Sequence, residues 1–418
     1  MSSPSTIAAK PPELADPGAV GVAAGWGNVV LASLLMLATL PGRTQGLGLI
    51  TEPMLQDLAI GRIQYANINL WATLLGAVLC LPAGWCMDRF GLRWTTAAVS
   101  LLLAAVVWQM SRLLGGVAWL FVLVLLTRAL GQSALSVASI TAVGKSFGLK
   151  AGWAMGVYSV LLSVFFAVAF VVVGGVVREQ GWRTAWGSVA LGVGIIGLLV
   201  PFLLREPPRV KESEGTPQSG IPLSGALRTP LFWVFAGATA LFGLVASGFG
   251  LFNEAVLAER GFDQQTFHHF LAATTLFALV GQMLCGWLTL QYPMPRLLAV
   301  AMFLYGGGLG VVPAVRTSAQ LWAFAAVFGL AAGFITVIFF AVWGRAFGRV
   351  QLGRIQGAAQ MLTVLASALG PLLFATSHAA AGSYAPLLRI LAVITCVMGL
   401  VAWWTRWAPV ETAATSAK

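Results

Sequence analysis

Charge is what this sequence most lacks. Only 9% of its 418 residues are Asp, Glu, Lys or Arg, whereas 59% are hydrophobic and the mean hydropathy is +0.88. A soluble domain carries about 25% charged residues, so this chain cannot cover a water-facing surface. The composition therefore indicates an integral membrane protein. We assign the net charge of +11 to loops that flank the membrane and expect no nucleic-acid partner.

Residues that carry catalysis or bind metals are also scarce. The three histidines, His268, His269 and His378, all fall near the ends of apolar runs, and the four cysteines lack metal-type spacing. The sequence contains no H-E-x-x-H motif, no serine elbow and no nucleotide-binding loop. These absences argue against an enzyme, against a cofactor or metal site, and against direct use of ATP.

Long apolar runs are what the chain has in abundance. A membrane-crossing helix needs about 20 mostly apolar residues, and twelve such runs predict an all-α membrane protein of twelve transmembrane helices. The predicted spans cover residues 26–52, 66–87, 93–111, 117–142, 152–177, 184–204, 230–257, 267–290, 296–314, 319–343, 355–378 and 386–407.

A hydrophilic connection divides these spans into two groups of six. We predict a tail at 1–20, a first half at 21–204, a flexible linker at 205–229, a second half at 230–407 and a tail at 408–418. With the N-terminus inside, fifteen of the 24 basic residues face the cytoplasm and seven face the outside. Because basic residues prefer cytoplasmic loops, we expect both ends in the cytoplasm and the protein in the plasma (inner) membrane.

The two halves share an internal repeat. GKSFG at 144–148 and GRAFG at 344–348 each follow the fourth span of their half, and a G-x-x-x-G pair follows each of them. The shared position indicates duplication. Parallel six-helix repeats are typical of transporters that rock around a substrate site between the halves.

The loop after the second span carries the most specific motif. It reads GWCMDRFGLR and resembles the signature G-x-x-x-D-R-x-G-x-R of the major facilitator superfamily, and GWRTAW at 181–186 resembles another element of that family. The resemblance covers the whole chain and implies transport by alternating access. It also implies a gate in which a charge network closes one face of the protein. The implied gating residues are Gly84, Asp88, Arg89, Gly91 and Arg93.

This gate is expected to be asymmetric. The second half has Leu290 and Gln291 where the Asp-Arg pair would stand. A simpler interpretation also remains open, in which Arg89 and Arg93 only anchor the membrane boundary.

The two remaining basic residues, Arg43 and Arg128, lie within spans. A basic side chain at the bilayer centre costs about 2.5–3.5 kcal/mol, so each should face a wet cavity or a partner. Pro41 and Gly42 predict a break in the first helix beside such a cavity. Because guanidinium groups match carboxylates in bidentate fashion, we predict that both arginines bind a small organic anion. Snorkelling or pairing with Glu52 is the alternative for Arg43, and a structural hydrogen-bonding role for Arg128.

Polar residues on other spans are candidates to complete the site. They are Asn67 and Asn69 on span two, Gln132 on span four, Asn253 on span seven and Gln282 on span eight. Each of them could equally be a polar group in helix packing. Glu254 is the best-placed acid for proton coupling, although its position predicts a location near the outer boundary.

The resemblance does not select one subfamily. LFNEAVLAERGF at 251–262 is similar to the seventh-span ending of monocarboxylate and oxalate/formate carriers, but span eight lacks their basic residue. LPGRTQG and LLTRALG resemble organic-anion symporters, with Gly42 in place of their Asp. That departure favours exchange with a counter-anion, or uniport, over symport with protons. An exporter of amphipathic drugs or metabolites is the alternative, since 16 Trp and 24 Phe could line a cavity. We expect a monomer in the lipid bilayer.

Overall fold

Eleven helices in the described part of the chain are long and apolar enough to cross a membrane. The computed structural model describes residues 22–147, 151–206 and 220–407, and it leaves both predicted tails and 207–219 of the predicted linker outside the described residues. We call the eleven helices spans 2 to 12. They are Gln64–Phe90, Leu92–Ser111, Val117–Ser146, Ala151–Gln180, Trp182–Leu203, Pro230–Ala258, Gln265–Leu288, Met294–Ala314, Ser318–Phe347, Leu352–Ala381 and Ala385–Trp404.

The remaining membrane-crossing segment is span 1, and its helix is broken. Its first helix is Val22–Leu37, a 3-10 turn follows at Leu40–Gly42, and the second helix is Thr44–Leu58. Pro41 fits the start of the turn because its missing N–H needs no partner there. A side chain on Gly42 would come within 2.3 Å of the Thr127 carbonyl oxygen, so the break packs directly on span 4. Twelve spans and the break in the first are both as predicted.

Span 4 contains an irregularity that the sequence did not predict. Its helix widens into a π-helix at Arg128–Leu135 and returns to α-helix at Ser136–Ser146. Such segments are rare and often lie at functional sites. Here the widened segment begins at Arg128 and packs against the break in span 1.

The two halves repeat the same packing. Spans 1 and 5, 2 and 4, and 3 and 6 pack together in the first half, and spans 7 and 11, 8 and 10, and 9 and 12 do so in the second. The matching pairs confirm two pseudo-symmetric six-helix halves. Large apolar side chains on the outer helix faces, such as Phe202 and Trp404, remain exposed for lipid.

The halves meet at two helix crossings, where the repeated glycines let the helix backbones approach closely. A side chain on Gly84 of span 2 would lie 2.2 Å from the Gly353 carbonyl oxygen of span 11. In the symmetric crossing, a side chain on Gly156 of span 5 would lie 3.1 Å from the Gly286 Cα of span 8. Small residues let helix backbones approach in this way. Both crossings lie on the side where span 1 begins and span 12 ends, which we call the terminal side.

We call the other side of the molecule the opposite side. Towards it, the residues of the crossing helices become less buried. The buried residues of span 5 all fall within 151–159, and most of those of span 11 fall within 352–360. The ion pairs described on the opposite side stay within one half, as in Arg183–Asp57 at 2.8 Å and Arg260–Glu259 at 3.2 Å. The molecule is therefore closed on the terminal side, and its centre is reached from the opposite side.

Candidate functional site

A cavity of about 510 Å³ lies between the halves. Spans 1, 4 and 5 form its wall in the first half, and spans 7, 8, 10 and 11 form its wall in the second. Among the described residues that line it, Arg43 alone carries a charge. Five phenylalanines contribute to its apolar surface. They are Phe166, Phe170, Phe242, Phe339 and Phe340.

Arg43 stands at the break in span 1, as the first residue before the helix Thr44–Leu58. Its Nε donates to Thr39 Oγ1 at 2.7 Å, and its Nη2 reaches Ser136 Oγ at 3.2 Å and the Met36 sulfur at 2.8 Å. The guanidinium also lies 5.5 Å from the centre of the Phe166 ring. Nη1 has no hydrogen-bond partner among the described residues, and no carboxylate there pairs with Arg43. Its hydrogen bonds therefore hold it in place without neutralising it.

Arg128 is close to Arg43 but has a different environment. It is only 3% exposed and does not line the cavity. Its Nη1 donates to the Gly42 carbonyl oxygen at 3.0 Å, to Thr44 Oγ1 at 3.1 Å and to Gln132 Oε1 at 2.9 Å. Its Nη2 donates to Asn69 Oδ1 at 2.9 Å. These hydrogen bonds join the broken span 1 to spans 2 and 4.

The other polar residues predicted for the site are dispersed. Gln282 lines the cavity and is 7% exposed. Asn67 instead lines a separate groove on spans 2 and 4, beside the exposed Trp71. Asn253 is buried outside the cavity, where its Oδ1 accepts from the backbone N–H of Glu254 at 2.9 Å. Glu254 is exposed near the opposite-side end of span 7, and its coupling role stays a prediction.

Several polar lining residues escaped the sequence-based prediction, and two of them bear most on the site. Ser136 follows the π-helix and contacts Arg43, and nothing in the linear pattern marks that bulge. Gln360 lines the cavity from span 11, three residues after Gly357 of the repeated G-x-x-x-G pair. A search for polar residues one turn beyond the repeated glycines would have found Gln360.

The Asp88 carboxylate connects the two halves on the terminal side. It is 4% exposed as a side chain and pairs with Lys145 Nζ at 3.0 Å. Its Oδ2 accepts from the backbone N–H of Arg354 at 2.9 Å, and its Oδ1 accepts from that of Gly353 at 3.2 Å. Both amides belong to the first turn of span 11. An anion is stabilised there by the helix dipole and the unpaired N–H groups.

The remaining motif residues shape the loop around Asp88. Gly91 has φ of +97°, a conformation that favours glycine. The backbone N–H of Arg93 donates to the Glu206 carboxylate, which attaches the loop to the end of span 6. The guanidiniums of Arg89 and Arg93 lie over the neighbouring indole rings, 5.5 Å from the ring centre of Trp85 and 5.7 Å from that of Trp94, respectively.

The symmetric crossing has no carboxylate at the matching position. Arg345 occupies the place of Lys145 in the repeat, and its Nη1 donates to the backbone carbonyl oxygen of Thr289 on span 8 at 2.8 Å. The described contacts therefore differ between the two crossings, and the asymmetry of a gate stays a prediction.

Residues 31–257 match the family model described as Major Facilitator Superfamily. Monocarboxylate transporter 11 of Homo sapiens is similar, with 34% identity over 210 residues that cover 46% of this chain. The match spans 43% of that protein's own length, which is less than half of it.

Solved structures share the fold at low sequence identity. The Escherichia coli fucose:proton symporter FucP aligns with a TM-score of 0.69 and 15% identity, over 91% of this chain and 98% of that one. The human organic anion transporter MFSD10 aligns with a TM-score of 0.69 and 16% identity, over 91% and 99%. At these identities the likeness concerns the fold alone.

Proposed function

This chain belongs to the Major Facilitator Superfamily of membrane transporters, and we propose that it carries a small organic anion, a carboxylate, by alternating access. One observation carries the proposal. The central cavity holds a guanidinium, Arg43, which is fixed by Thr39 and Ser136 and meets no carboxylate of the described chain. An uncompensated cation at this depth is costly, and a bound anion removes that cost.

A carboxylate suits this position because it brings the opposite charge to a fixed donor. Nε and Nη2 of the guanidinium are already bonded, and Nη1 is free among the described residues to donate to a ligand oxygen. Since Nε and Nη2 are already oriented by span 1 and span 4, the anion meets a fixed donor instead of a flexible one. The partial similarity to monocarboxylate transporter 11 supports the same class of substrate.

We assign Arg128 a positioning role in this site. Its four hydrogen bonds hold Gly42 and Thr44 on either side of Arg43. Gln132 and Asn69 complete its coordination. The place of the Arg43 guanidinium therefore depends on Arg128, although Arg128 itself does not line the cavity.

We assign the Asp88 network to a gate that holds the terminal side closed. The carboxylate on span 2 bonds the first turn of span 11, and Gly84 lets these two spans touch. Gly91, Arg89 and Arg93 hold the loop that carries it. Opening the terminal side requires these bonds to break, so the network biases the equilibrium between two states.

The charges in the cavity wall bear on whether transport of the substrate is coupled to protons or to a second anion. Among its described lining residues there is one arginine and no Asp, Glu or His, so no acid in the wall is available to carry a proton with the substrate. We therefore favour exchange of one anion for another. We also assign both termini to the cytoplasmic side of the plasma (inner) membrane and regard the transporter as a monomer, on the asymmetry of basic residues and the completeness of the cavity within one chain.

A second candidate function rests on the aromatic wall. Five phenylalanines line the cavity, and such a surface also suits an exporter of amphipathic compounds. The two candidates differ in what Arg43 does. An exporter of neutral amphiphiles would bind through the rings and would not need the guanidinium.

Ligand-induced stabilisation of the purified protein separates these candidates. Wild type, Arg43→Gln and a control, Arg316→Gln, are heated with monocarboxylates, dicarboxylates, inorganic anions and neutral amphiphiles. Arg316 is exposed in the loop after span 9. A ligand at 100 times its Kd stabilises the folded state by about 2.7 kcal/mol.

We expect a carboxylate to stabilise wild type and Arg316→Gln but not Arg43→Gln. Neutral amphiphiles that stabilise all three proteins equally, with no effect of any carboxylate, would contradict the proposal and favour the exporter.

A further inference from the structure

We infer that Gln282 and Gln360 form a second polar subsite, which binds a hydroxyl group of the substrate. The inference rests on the proposed function, since it describes the part of the carboxylate substrate that Arg43 does not reach. Both residues line the central cavity from the second half of the chain, on spans 8 and 11. Arg43 lines it from the first half.

Every hydroxyl in the cavity wall is already engaged. Six serines and threonines line the cavity, and each donates to a backbone carbonyl of its own span. For example, Thr239 Oγ1 donates to Phe235 at 2.9 Å and Thr336 Oγ1 donates to Ala332 at 2.8 Å. These hydroxyls hold no free proton for a ligand. Donors for a ligand must come from Arg43 or from side-chain amides.

The two glutamines differ from these hydroxyls because their side-chain oxygens are not hydrogen-bonded within the described part of the chain. Gln282 is 7% exposed and Gln360 is 9% exposed, and the Oε1 atom of each is enclosed without a hydrogen-bond partner among the described residues. A buried acceptor without a partner is costly, and native proteins rarely keep one without a reason. An amide oxygen accepts, so a ligand hydroxyl that donates to Oε1 can satisfy it, whereas a ligand carbonyl cannot. Two such amides in one wall indicate a built subsite.

Their place in the fold explains how they are held. Gln282 lies one turn from Gly286, where span 8 crosses span 5, and Gln360 lies one turn from Gly357, which packs on the Cys80 backbone of span 2. At both points the backbones touch closely, so the glutamines are fixed on rigid helices. A ligand bound by Arg43 and by these amides bridges the two halves.

The group that these amides recognise should be uncharged. The described lining residues provide no second cation for a second carboxylate and no carboxylate for an ammonium group. Either charge would be left without a partner in a largely apolar cavity. The substrate class that fits is a monocarboxylate with a hydroxyl group and an apolar body facing the phenylalanines.

Matched pairs of acids test this subsite. Binding of lactate and propanoate, and of 2-hydroxy-3-phenylpropanoate and 3-phenylpropanoate, is measured by titration of the purified protein. The proteins are wild type, Gln282→Met, Gln360→Met and a control, Gln356→Met. Methionine keeps the volume of glutamine and removes the amide. Gln356 lies one turn before Gln360 on the same helix, is buried, and does not line the cavity.

We expect wild type to bind the hydroxy acid about tenfold more tightly than its deoxy partner in at least one pair. Gln282→Met and Gln360→Met should reduce that preference to about twofold or less, while Gln356→Met keeps it. Deoxy acids should still bind both subsite variants, because Arg43 is intact.

Three outcomes would overturn the inference. If wild type binds both members of each pair equally, the subsite does not exist although the carboxylate proposal stands. If Gln356→Met loses the preference as fully as the others, the effect is structural. If no acid binds wild type at all, the proposed function fails and the subsite fails with it.

Discussion

The contact of Asp88 with span 11 gives the most quantitative prediction. Changing Asp88 to Asn keeps the shape of the side chain but removes its charge and one of its two acceptor oxygens. The amide cannot serve Lys145 and the backbone N–H groups of Gly353 and Arg354 together. We therefore expect the closed state of the terminal side to become less stable while the helices remain folded.

The size of the loss follows from these contacts. A hydrogen bond to a charged group contributes about 1.5–3 kcal/mol, and an anion at a helix N-terminus contributes about 0.3–1 kcal/mol, rising to about 2 where it is partly buried. An asparagine keeps part of these interactions, so we expect Asp88→Asn to destabilise the closed state by about 3 kcal/mol relative to the open state. That corresponds to about a 100-fold change in the equilibrium between closed and open. A protein that is about 99% closed would become nearly evenly divided.

Distances between spin labels measure this equilibrium. Labels at Trp94 on span 3 and Trp404 on span 12 lie on the terminal side, one in each half, and both side chains are exposed. The four free cysteines are first replaced to give a clean background. We expect Asp88→Asn to transfer a large part of the short-distance population to a longer distance.

The control applies the same chemical change elsewhere. Asp263 is exposed and caps span 8 on the opposite side, where its Oδ1 accepts from the backbone N–H of Thr266 at 2.9 Å. Asp263→Asn should leave the label distances unchanged. A wild-type distance distribution in Asp88→Asn, or an equal shift in both variants, would contradict the gating role of Asp88.

The other contacts give shorter predictions. Gly84→Ala places a methyl group where only 2.2 Å is available beside Gly353, so it should open the terminal side in the same label experiment. Gly91→Ala forces an alanine into φ of +97° and should lower the melting temperature, by an amount equivalent to about 1–2 kcal/mol. Arg128→Gln leaves buried acceptors such as the Gly42 carbonyl without their donor and should cost about 1–3 kcal/mol of stability in thermal unfolding. Arg43→Gln should cost less than Arg128→Gln, and a reversed order would contradict the roles assigned to these arginines.

The topology could be predicted from the sequence because the membrane imposes simple rules. Helix length and polarity are set by the bilayer, so apolar runs identify the spans with errors of only a few residues. The break in span 1 was predictable for the same kind of reason, since Pro41 and Gly42 disrupt a helix by known local physics. The repeated glycines indicated duplication, and the structure places them where the halves touch.

The arrangement around the two arginines was harder to predict. The sequence placed Arg43 and Arg128 within spans, but a position in a span does not say which way a side chain points. The π-helix at Arg128–Leu135 rotates the faces of span 4, and no local pattern marks it. As a result Arg128 turns to Gly42 and Asn69, while Ser136 reaches Arg43.

The way the helices cross explains why the sequence does not show which glutamines line the cavity. A glutamine in a transmembrane helix is usually a packing group. Gln356 and Gln360 differ by one turn, yet only Gln360 lines the cavity. Which of them faces the cavity depends on the angle at which span 11 crosses span 2, and that angle is a property of both halves together.

The central claim is that Arg43 holds the anionic group of a transported carboxylate. The most direct measurement is exchange in proteoliposomes of a radiolabelled monocarboxylate, selected by the binding screen, with its neutral amide as competitor. Wild type and Arg316→Gln should exchange the acid, and the amide should compete poorly. Arg43→Gln should lose at least about tenfold in exchange, the equivalent of 1.4 kcal/mol. Wild-type exchange by Arg43→Gln, or equal competition by the amide, would contradict the account.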